Sequence, residues 1–100
     1  ANLSNARLIG ATIVGADLSE ANLQNTRLNR ADLSGSCFRQ ANLESSTLLG
    51  ANLTGANLDQ ADLSNTNLSG ANLAEAKMDG AILDAATLNN ATMPDGLLSH

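Results

Sequence analysis

Few side chains of this protein are candidates for catalysis. Cys37 is the only thiol and His100 the only imidazole, and the two would act as nucleophile and base if their reacting atoms lay about 2.6–3.2 Å apart. Asp59 and Asp79 stand twenty residues apart, and two carboxyl groups about 5–5.5 Å apart are the arrangement of a retaining glycosidase. Whether either pair forms depends on how the backbone brings these positions together.

Metal, phosphate and membrane chemistry have less support. A single, terminal histidine gives no metal-ligand spacing, and the glycines do not form a phosphate-binding loop, so we expect no cofactor. The formal net charge of −5 argues against direct binding of nucleic acid. No apolar run approaches the ~20 residues that span a bilayer, and no signal-like segment opens the chain, so we expect no membrane partner and a cytoplasmic location. The missing initiator Met leaves a processed N-terminus open.

The backbone that holds these side chains follows a five-residue repeat. Written as pentads, the third residue is Leu in 16 of 20 units, and Ile13, Phe38, Met78 and Met93 fill the other four. The first residue is Ala except at Thr26, Ser36, Ser46, Thr66 and Gly96. Every pentad therefore carries a small residue and a large apolar one, two positions apart.

A five-residue period fits neither a helix nor a flat strand. On a helix, successive leucines would lie 140° apart and form no apolar stripe, since each residue turns about 100°. On a strand, each new pentad would turn its leucine to the opposite face. A bend at positions four and five removes this conflict, and position five is Gly in seven units and Asn in four, the residues that tolerate the positive φ of a type II turn. The chain must therefore coil around its Ala and Leu side chains.

The A-[ND]-L-x-x pattern resembles the pentapeptide repeat proteins over essentially all 100 residues. The resemblance implies an all-β fold, a right-handed quadrilateral parallel β-helix with about five coils of four pentapeptides. It implies one domain, 1–100, with 94–100 as a C-terminal turn and cap in which Leu97 and Leu98 fold over the last leucine layer. The composition is similar to that of the bacterial, especially cyanobacterial, members.

With four pentads per coil, residues twenty apart stack in columns. Cys37 and His100 would then lie three coils, about 14 Å, apart, which is too far for a nucleophile and its base. Asp59 and Asp79 would lie about 4.8 Å apart beside Arg39, but a convex rod offers no cleft, so an exposed charge ladder is the expected reading. We therefore predict no catalytic residue and a chain that is not an enzyme.

Two further sets of polar residues are predicted to have structural roles. Asn2, Asn22, Asn42 and Asp62 stack on one side of the rod, and we expect their side chains to hydrogen-bond along a ladder. The first-position residues Thr26, Ser36, Ser46 and Thr66 point inward, and we expect their hydroxyls to bond to nearby backbone.

The four sides of the rod differ in charge. We call the pentads that begin at residues 1, 6, 11 and 16, each with those twenty, forty, sixty and eighty positions later, the first, second, third and fourth faces. The second face has no acidic residue, and it carries a candidate protein-interaction face formed by Arg7, Ile9, Arg27, Arg30 and Leu49. The fourth face carries a candidate acidic face formed by Asp17, Glu20, Asp59 and Asp79.

The leading functional prediction is a non-enzymatic scaffold that binds an unidentified protein partner, as stacked repeats often do. One alternative comes from members of the resembled family that mimic DNA and inhibit gyrase or another topoisomerase. Five coils at ~4.8 Å give a rod about 24 Å long. Since duplex DNA carries one charge per ~1.7 Å, a mimic of that length needs about 14 negative charges, and the net charge here is −5. Another alternative is an end-capping or fragment module of a longer repeat protein. The first coil has no evident cap, which predicts a homodimer or end-on stacking through that coil, or a further segment before it.

Overall fold

A computed structural model describes residues 2–94 of the chain. The second residue of each pentad forms a parallel β-bridge with the residue twenty positions later, from Asn2–Asn22 to Asn72–Thr92. Each bridge residue is followed, after one residue, by a two-residue turn, so residues 2–94 contain neither a helix nor a strand longer than one residue. Residues 2–94 thus form a solenoid of stacked coils with four pentads and four turns in each, as the resemblance to pentapeptide repeat proteins implies.

Backbone hydrogen bonds follow the same five-residue rule. The position-three N–H donates to the next coil, as from Leu23 to the Asn42 carbonyl at 2.7 Å, and the position-five N–H does likewise. The position-two N–H donates to the preceding coil, as from Asp62 to the Ala41 carbonyl at 2.9 Å. The position-one N–H closes the turn onto the carbonyl three residues earlier. Four of the five N–H groups in a pentad therefore donate to backbone carbonyls, and the position-four N–H does not.

The turns have one conformation throughout. All position-five residues from Asn5 to Asn90 have positive φ, between 58° and 73°. The sequence signal came from Gly and Asn, but Glu20, Arg30, Gln40, Ser45, Gln60, Glu75 and Ala85 adopt this φ as well. Left-handed backbone is unfavourable by roughly 1–2 kcal/mol for a residue with a Cβ. The ladder hydrogen bonds on both sides of each turn therefore override the local preference.

The core lies along the axis and is closed only in the middle coils. Leu33, Leu58 and Leu63 are 0% exposed. The corresponding residues of the outermost coils, such as Leu3 and Leu88, are partly buried and pack against this core from the ends. Similar layers, made mostly of Ala and Leu, thus cover one another along the axis.

The inward hydroxyls bond to backbone, as predicted. Thr26 Oγ1 donates to the Leu23 carbonyl at 2.8 Å, Ser46 Oγ to the Leu43 carbonyl at 2.6 Å, and Thr66 Oγ1 to the same Leu43 carbonyl at 2.9 Å. Ser36 Oγ donates to the Ile13 carbonyl and accepts from the Ala16 N–H at 3.1 Å. These four residues replace alanine in the core without leaving a polar group unpaired.

The predicted cap at 94–100 lies outside the described residues except for Pro94, whose carbonyl accepts from the Glu75 N–H at 3.4 Å. His100 also lies outside them, so the predicted separation from Cys37 stays a prediction. Cys37 itself is a half-buried free thiol.

Candidate protein-interaction face

Position two decides whether each turn is closed from outside. At all ten positions where an Asn or Asp occupies it in residues 2–94, the side-chain Oδ1 accepts from the position-four N–H two residues later, at 3.0–3.2 Å. This is the N–H that the ladder leaves out. The [ND] preference of the repeat is therefore explained by a side-chain cap on each turn.

The cap overturns the predicted asparagine ladder on the first face. Asn2, Asn22, Asn42 and Asp62 do stack twenty residues apart. Their Oδ1 atoms, however, accept from Ser4, Gln24, Glu44 and Ser64 in their own pentads. The ladder prediction was wrong because a backbone donor two residues away competes successfully with the neighbouring side chain.

The second face lacks this cap in most of its coils. Its position-two residues are Arg7, Arg27, Thr47, Asn67 and Thr87, of which only Asn67 caps a turn. Within the part of the chain that the structure describes, the N–H groups of Ile9, Asn29 and Leu49 have no hydrogen-bond acceptor. Because the cap acceptors elsewhere are outward side chains of position two, these three N–H groups point to the outer surface. They lie in three successive coils.

The other faces leave such groups only singly. The uncapped turns there follow Thr12, Cys37 and Ile82, one to a face. Lys77 also lacks a cap, but Asp59 Oδ1 of the neighbouring coil accepts from the Asp79 N–H at 3.0 Å. Thr92 is followed at position four by Pro94, which has no N–H. A run of unpaired donors in consecutive coils is thus specific to the second face.

The residues predicted for the interaction face surround this run. Arg7 and Arg27 are bridge partners and are both exposed. Arg30 is exposed, and its Cγ lies 3.5 Å from where a Cβ on Gly50 would be, so its side chain lies over the next coil. Ile9 is 57% and Leu49 39% exposed. The structure therefore brings all five residues onto one surface.

Asn29 was missed by the sequence analysis. It lies between Ile9 and Leu49 in the position-four column, and its Oδ1 is buried and accepts no hydrogen bond from the described residues. A buried acceptor without a donor is unfavourable and uncommon. Its only sequence signal is an amide at position four between two apolar residues of the same column.

Two carboxylates of the fourth face, those of Asp17 and Asp59, accept hydrogen bonds from turn N–H groups. Asp17 Oδ1 accepts from the Ser19 N–H at 3.1 Å and from the Ser19 hydroxyl. These bonds, the hydroxyl first, lower the pKa of Asp17 below its ordinary value, against a small opposing effect of desolvation. Asp59 Oδ1 accepts from the Asp79 N–H in the next coil, while Glu20 is exposed. The Asp59–Asp79 pair therefore acts as a turn cap across two coils.

Concave or metal-binding features do not add to these surfaces. The described residues enclose no pocket, and no group of three or more His, Cys, Asp or Glu side chains among them is arranged to hold a metal ion. Between residues 2 and 94 there is no helix with the length and apolarity needed to cross a bilayer.

Comparison with known proteins identifies the repeat. A family profile described as pentapeptide repeats matches eight copies, over residues 1–40, 36–73 and 66–96. No match was found among curated proteins.

Solved structures give the same result. The chain is 36% identical to HetL, a pentapeptide repeat protein involved in heterocyst differentiation regulation from the cyanobacterium Nostoc sp. strain PCC 7120, with a TM-score of 0.84 over 99% of this chain and 52% of HetL. It is 33% identical to Rfr23, a pentapeptide repeat protein from the cyanobacterium Cyanothece 51142, with a TM-score of 0.53 over 90% of this chain and 65% of Rfr23. The chain thus spans about half the length of HetL and about two thirds of Rfr23.

A more distant likeness shows the fold alone. QnrB1, a plasmid-mediated fluoroquinolone resistance protein, is 20% identical to the chain with a TM-score of 0.55, over 92% of this chain and 67% of QnrB1.

Proposed function

We propose that this chain, which belongs to the pentapeptide repeat family, is a non-enzymatic scaffold whose second face binds another protein. We infer further that its coil is right-handed and four-sided, because HetL, with a TM-score of 0.84, belongs to the same family of β-helices. A rigid solenoid holds outward side chains at fixed spacings, which suits a binding surface built from several coils.

One observation carries the proposal. The second face combines three unpaired N–H groups in successive coils with exposed arginines and exposed Ile9 and Leu49. Arginine and apolar side chains are typical of protein interfaces, and a polar group that lacks a partner in the free protein can gain one in a complex. On the first face four of the five turns are capped, and only the Asp84 N–H, which follows Ile82, lacks an acceptor among the described residues.

The proposal can be tested by affinity capture from a cyanobacterial lysate with quantitative mass spectrometry, since HetL and Rfr23 are cyanobacterial. The bait is compared with Arg7→Gln/Arg27→Gln on the second face and with Arg39→Gln/Lys77→Gln on the fourth, which makes the same change in net charge. We expect proteins that are retained by the parent and the fourth-face variant and lost by the second-face variant. Identical sets of captured proteins for all three baits would refute the second face as the binding surface.

Gyrase inhibition has weaker support. The likeness to QnrB1 concerns the fold, and fold alone does not transfer function. The net charge of −5 and the arginines of the second face are unlike a DNA surface. A gyrase supercoiling assay that responds to this chain would favour that function over the scaffold.

A further inference from the structure

The unpaired N–H groups of the second face show what chemistry they lack, because the same group is paired ten times elsewhere in the chain. In each case the acceptor is a carboxylate or carboxamide oxygen at 3.0–3.2 Å, and Asp17, Asp32 and Asp62 are the carboxylates among them. The N–H groups of Ile9, Asn29 and Leu49 have the same backbone geometry without that oxygen. An oxygen supplied from outside would complete these turns as an Asn or Asp does.

The residues that replace the cap favour an anionic oxygen. In the first two coils, position two is Arg7 and Arg27, so guanidinium donors stand where an acceptor stands on the first face. Arg30 lies beside them and the second face holds no acid, so nothing on this face competes for the donors. Backbone N–H and guanidinium together form strong, charge-assisted hydrogen bonds to carboxylate.

The spacing of the donors restricts the shape of the ligand. Ile9, Asn29 and Leu49 repeat from coil to coil, about 4.8 Å apart. Carboxylates along one side of an α-helix repeat every turn, about 5.4 Å, whereas same-side groups of an extended peptide repeat about every 6.8 Å. A helix laid along the solenoid axis therefore keeps its carboxylates close to register over three coils.

The apolar residues of the face suit the same ligand. Ile9 and Leu49 are exposed on either side of Asn29, so a helix in this position would cover apolar surface as well as charge.

We propose that the second face is a docking site for an acidic helix of a partner protein, an inference that rests on the proposed function. One stripe of Asp or Glu carboxylates accepts from the N–H groups of Ile9, Asn29 and Leu49 and pairs with Arg7, Arg27 and Arg30. Nucleic acid fits this surface less well, because the other faces carry all ten acids and would repel a longer polyanion.

The probe is a fluorescently labelled, alanine-based helical peptide of sixteen residues with Glu at every third or fourth position along one side. An isomer of equal composition has its Glu residues spread around the helix, and a third peptide replaces each Glu by Gln. We expect the striped Glu peptide to bind at least about tenfold more tightly than either control by fluorescence anisotropy, since only it can place carboxylates on all three donors. Equal binding of the striped peptide and its isomer would overturn the proposal.

The variant Thr47→Asn tests the N–H groups without changing charge. It gives the Leu49 N–H an internal acceptor, and we expect striped-peptide affinity to fall about two- to tenfold, the value of one hydrogen bond. The matched control is Thr12→Asn, which installs the same cap before Val14 on the third face and should leave affinity unchanged. An unaltered affinity for Thr47→Asn, with a folded protein by circular dichroism, would contradict a role for the N–H column.

Charge variants and competing ligands complete the test. Arg7→Gln/Arg27→Gln should lower the affinity by more than tenfold, and Arg39→Gln/Lys77→Gln by less than twofold. Tighter binding of a twenty-base-pair DNA duplex than of the striped peptide would overturn the proposal in favour of nucleic acid. Self-association that depends on Arg7 and Arg27 in sedimentation would overturn it in favour of a second copy of the chain. If lysate capture depends on the second face and the peptide does not bind, the docking face stands and the acidic helix fails.

Discussion

The first and second faces of this solenoid share one backbone and differ in how their turns are closed. Both bridge from coil to coil every twenty residues and both bury their central leucines. On the first face, Asn2, Asn22, Asn42 and Asp62 close four turns with their own Oδ1 atoms. On the second, Asn67 closes one turn and the others are uncapped. Position two thus separates a face on which four of the five turns are capped from a face on which four of the five are not.

Truncation of a central leucine on each face tests whether the two faces share one core. Leu43 on the first face and Leu48 on the second are each 1% exposed. We expect Leu43→Ala and Leu48→Ala each to lower the free energy of unfolding by about 2–5 kcal/mol, because each leaves a cavity in the stacked layers. Urea denaturation measures both. A difference of more than about 2 kcal/mol between them would mean that the faces differ inside as well as outside, and the comparison would fail.

A smaller effect tests the cap itself. Asn42→Ala removes the acceptor of the Glu44 N–H and should lower the free energy of unfolding by about 0.5–1.5 kcal/mol. Thr47→Ala, one pentad later on the second face, removes no cap and should change it by less than about 0.5 kcal/mol. The same urea titrations compare the two variants. Equal losses would show that the cap contributes nothing to stability.

The turns of both faces need positive φ at position five, so a glycine substitution can be made at this position on each face. Ser45 on the first face has φ 61° and Arg30 on the second has φ 59°. Glycine adopts this conformation freely, so Ser45→Gly and Arg30→Gly should each raise the free energy of unfolding, by about 0.5–1 kcal/mol. Thermal unfolding checks both. Only Arg30→Gly should also weaken binding of the acidic helix. Weakened binding by Ser45→Gly would place the helix on the first face and contradict the proposed docking site.

The smallest effect concerns a cap made by a carboxylate. The pKa of Asp17 is lowered because Ser19 donates from its hydroxyl and its N–H, so the ionised form is favoured in the folded state. Its contribution to stability is therefore complete above the ordinary Asp pKa of about 4 and is lost as the pH falls through the lowered folded value. NMR titration should find the Asp17 pKa below that of an unstructured Asp, and Ser19→Ala should return it toward the ordinary value. An unshifted Asp17 would show that this cap does not form in solution.

The repeat architecture could be predicted from the sequence because the same residue pattern recurs in all twenty pentads. Ala and Leu at fixed positions predicted a chain that coils around an axial core, and the resemblance to pentapeptide repeat proteins implied twenty residues in each coil. Thr26 and Ser46 bond to backbone as expected. The five residues of the predicted interaction face are all exposed, and their role in binding stays a prediction.

What the sequence analysis missed concerns competition between alternative partners. An outward Asn column permits a ladder along the stack or a bond within each pentad, and only the geometry of the position-four N–H decides for the latter. The same geometry shows that Arg7, Arg27 and Thr47, which stand where Asn or Asp would cap the turn, leave three successive turns of the second face uncapped. Positive φ at Arg30 and Ala85 was also hidden, because the ladder imposes it on residues with no such preference.

Amide hydrogen exchange by NMR tests the difference between the two faces most directly. After correction for intrinsic rates, the N–H groups of Gln24 and Glu44, which are capped, should be protected about five- to tenfold more than those of Asn29 and Leu49, as expected for one hydrogen bond. Addition of the striped Glu peptide should then raise the protection of Asn29 and Leu49 and leave that of Gln24 and Glu44 unchanged. Equal protection of the two pairs in the free protein would contradict the account, because the second face would then have no open donors to offer.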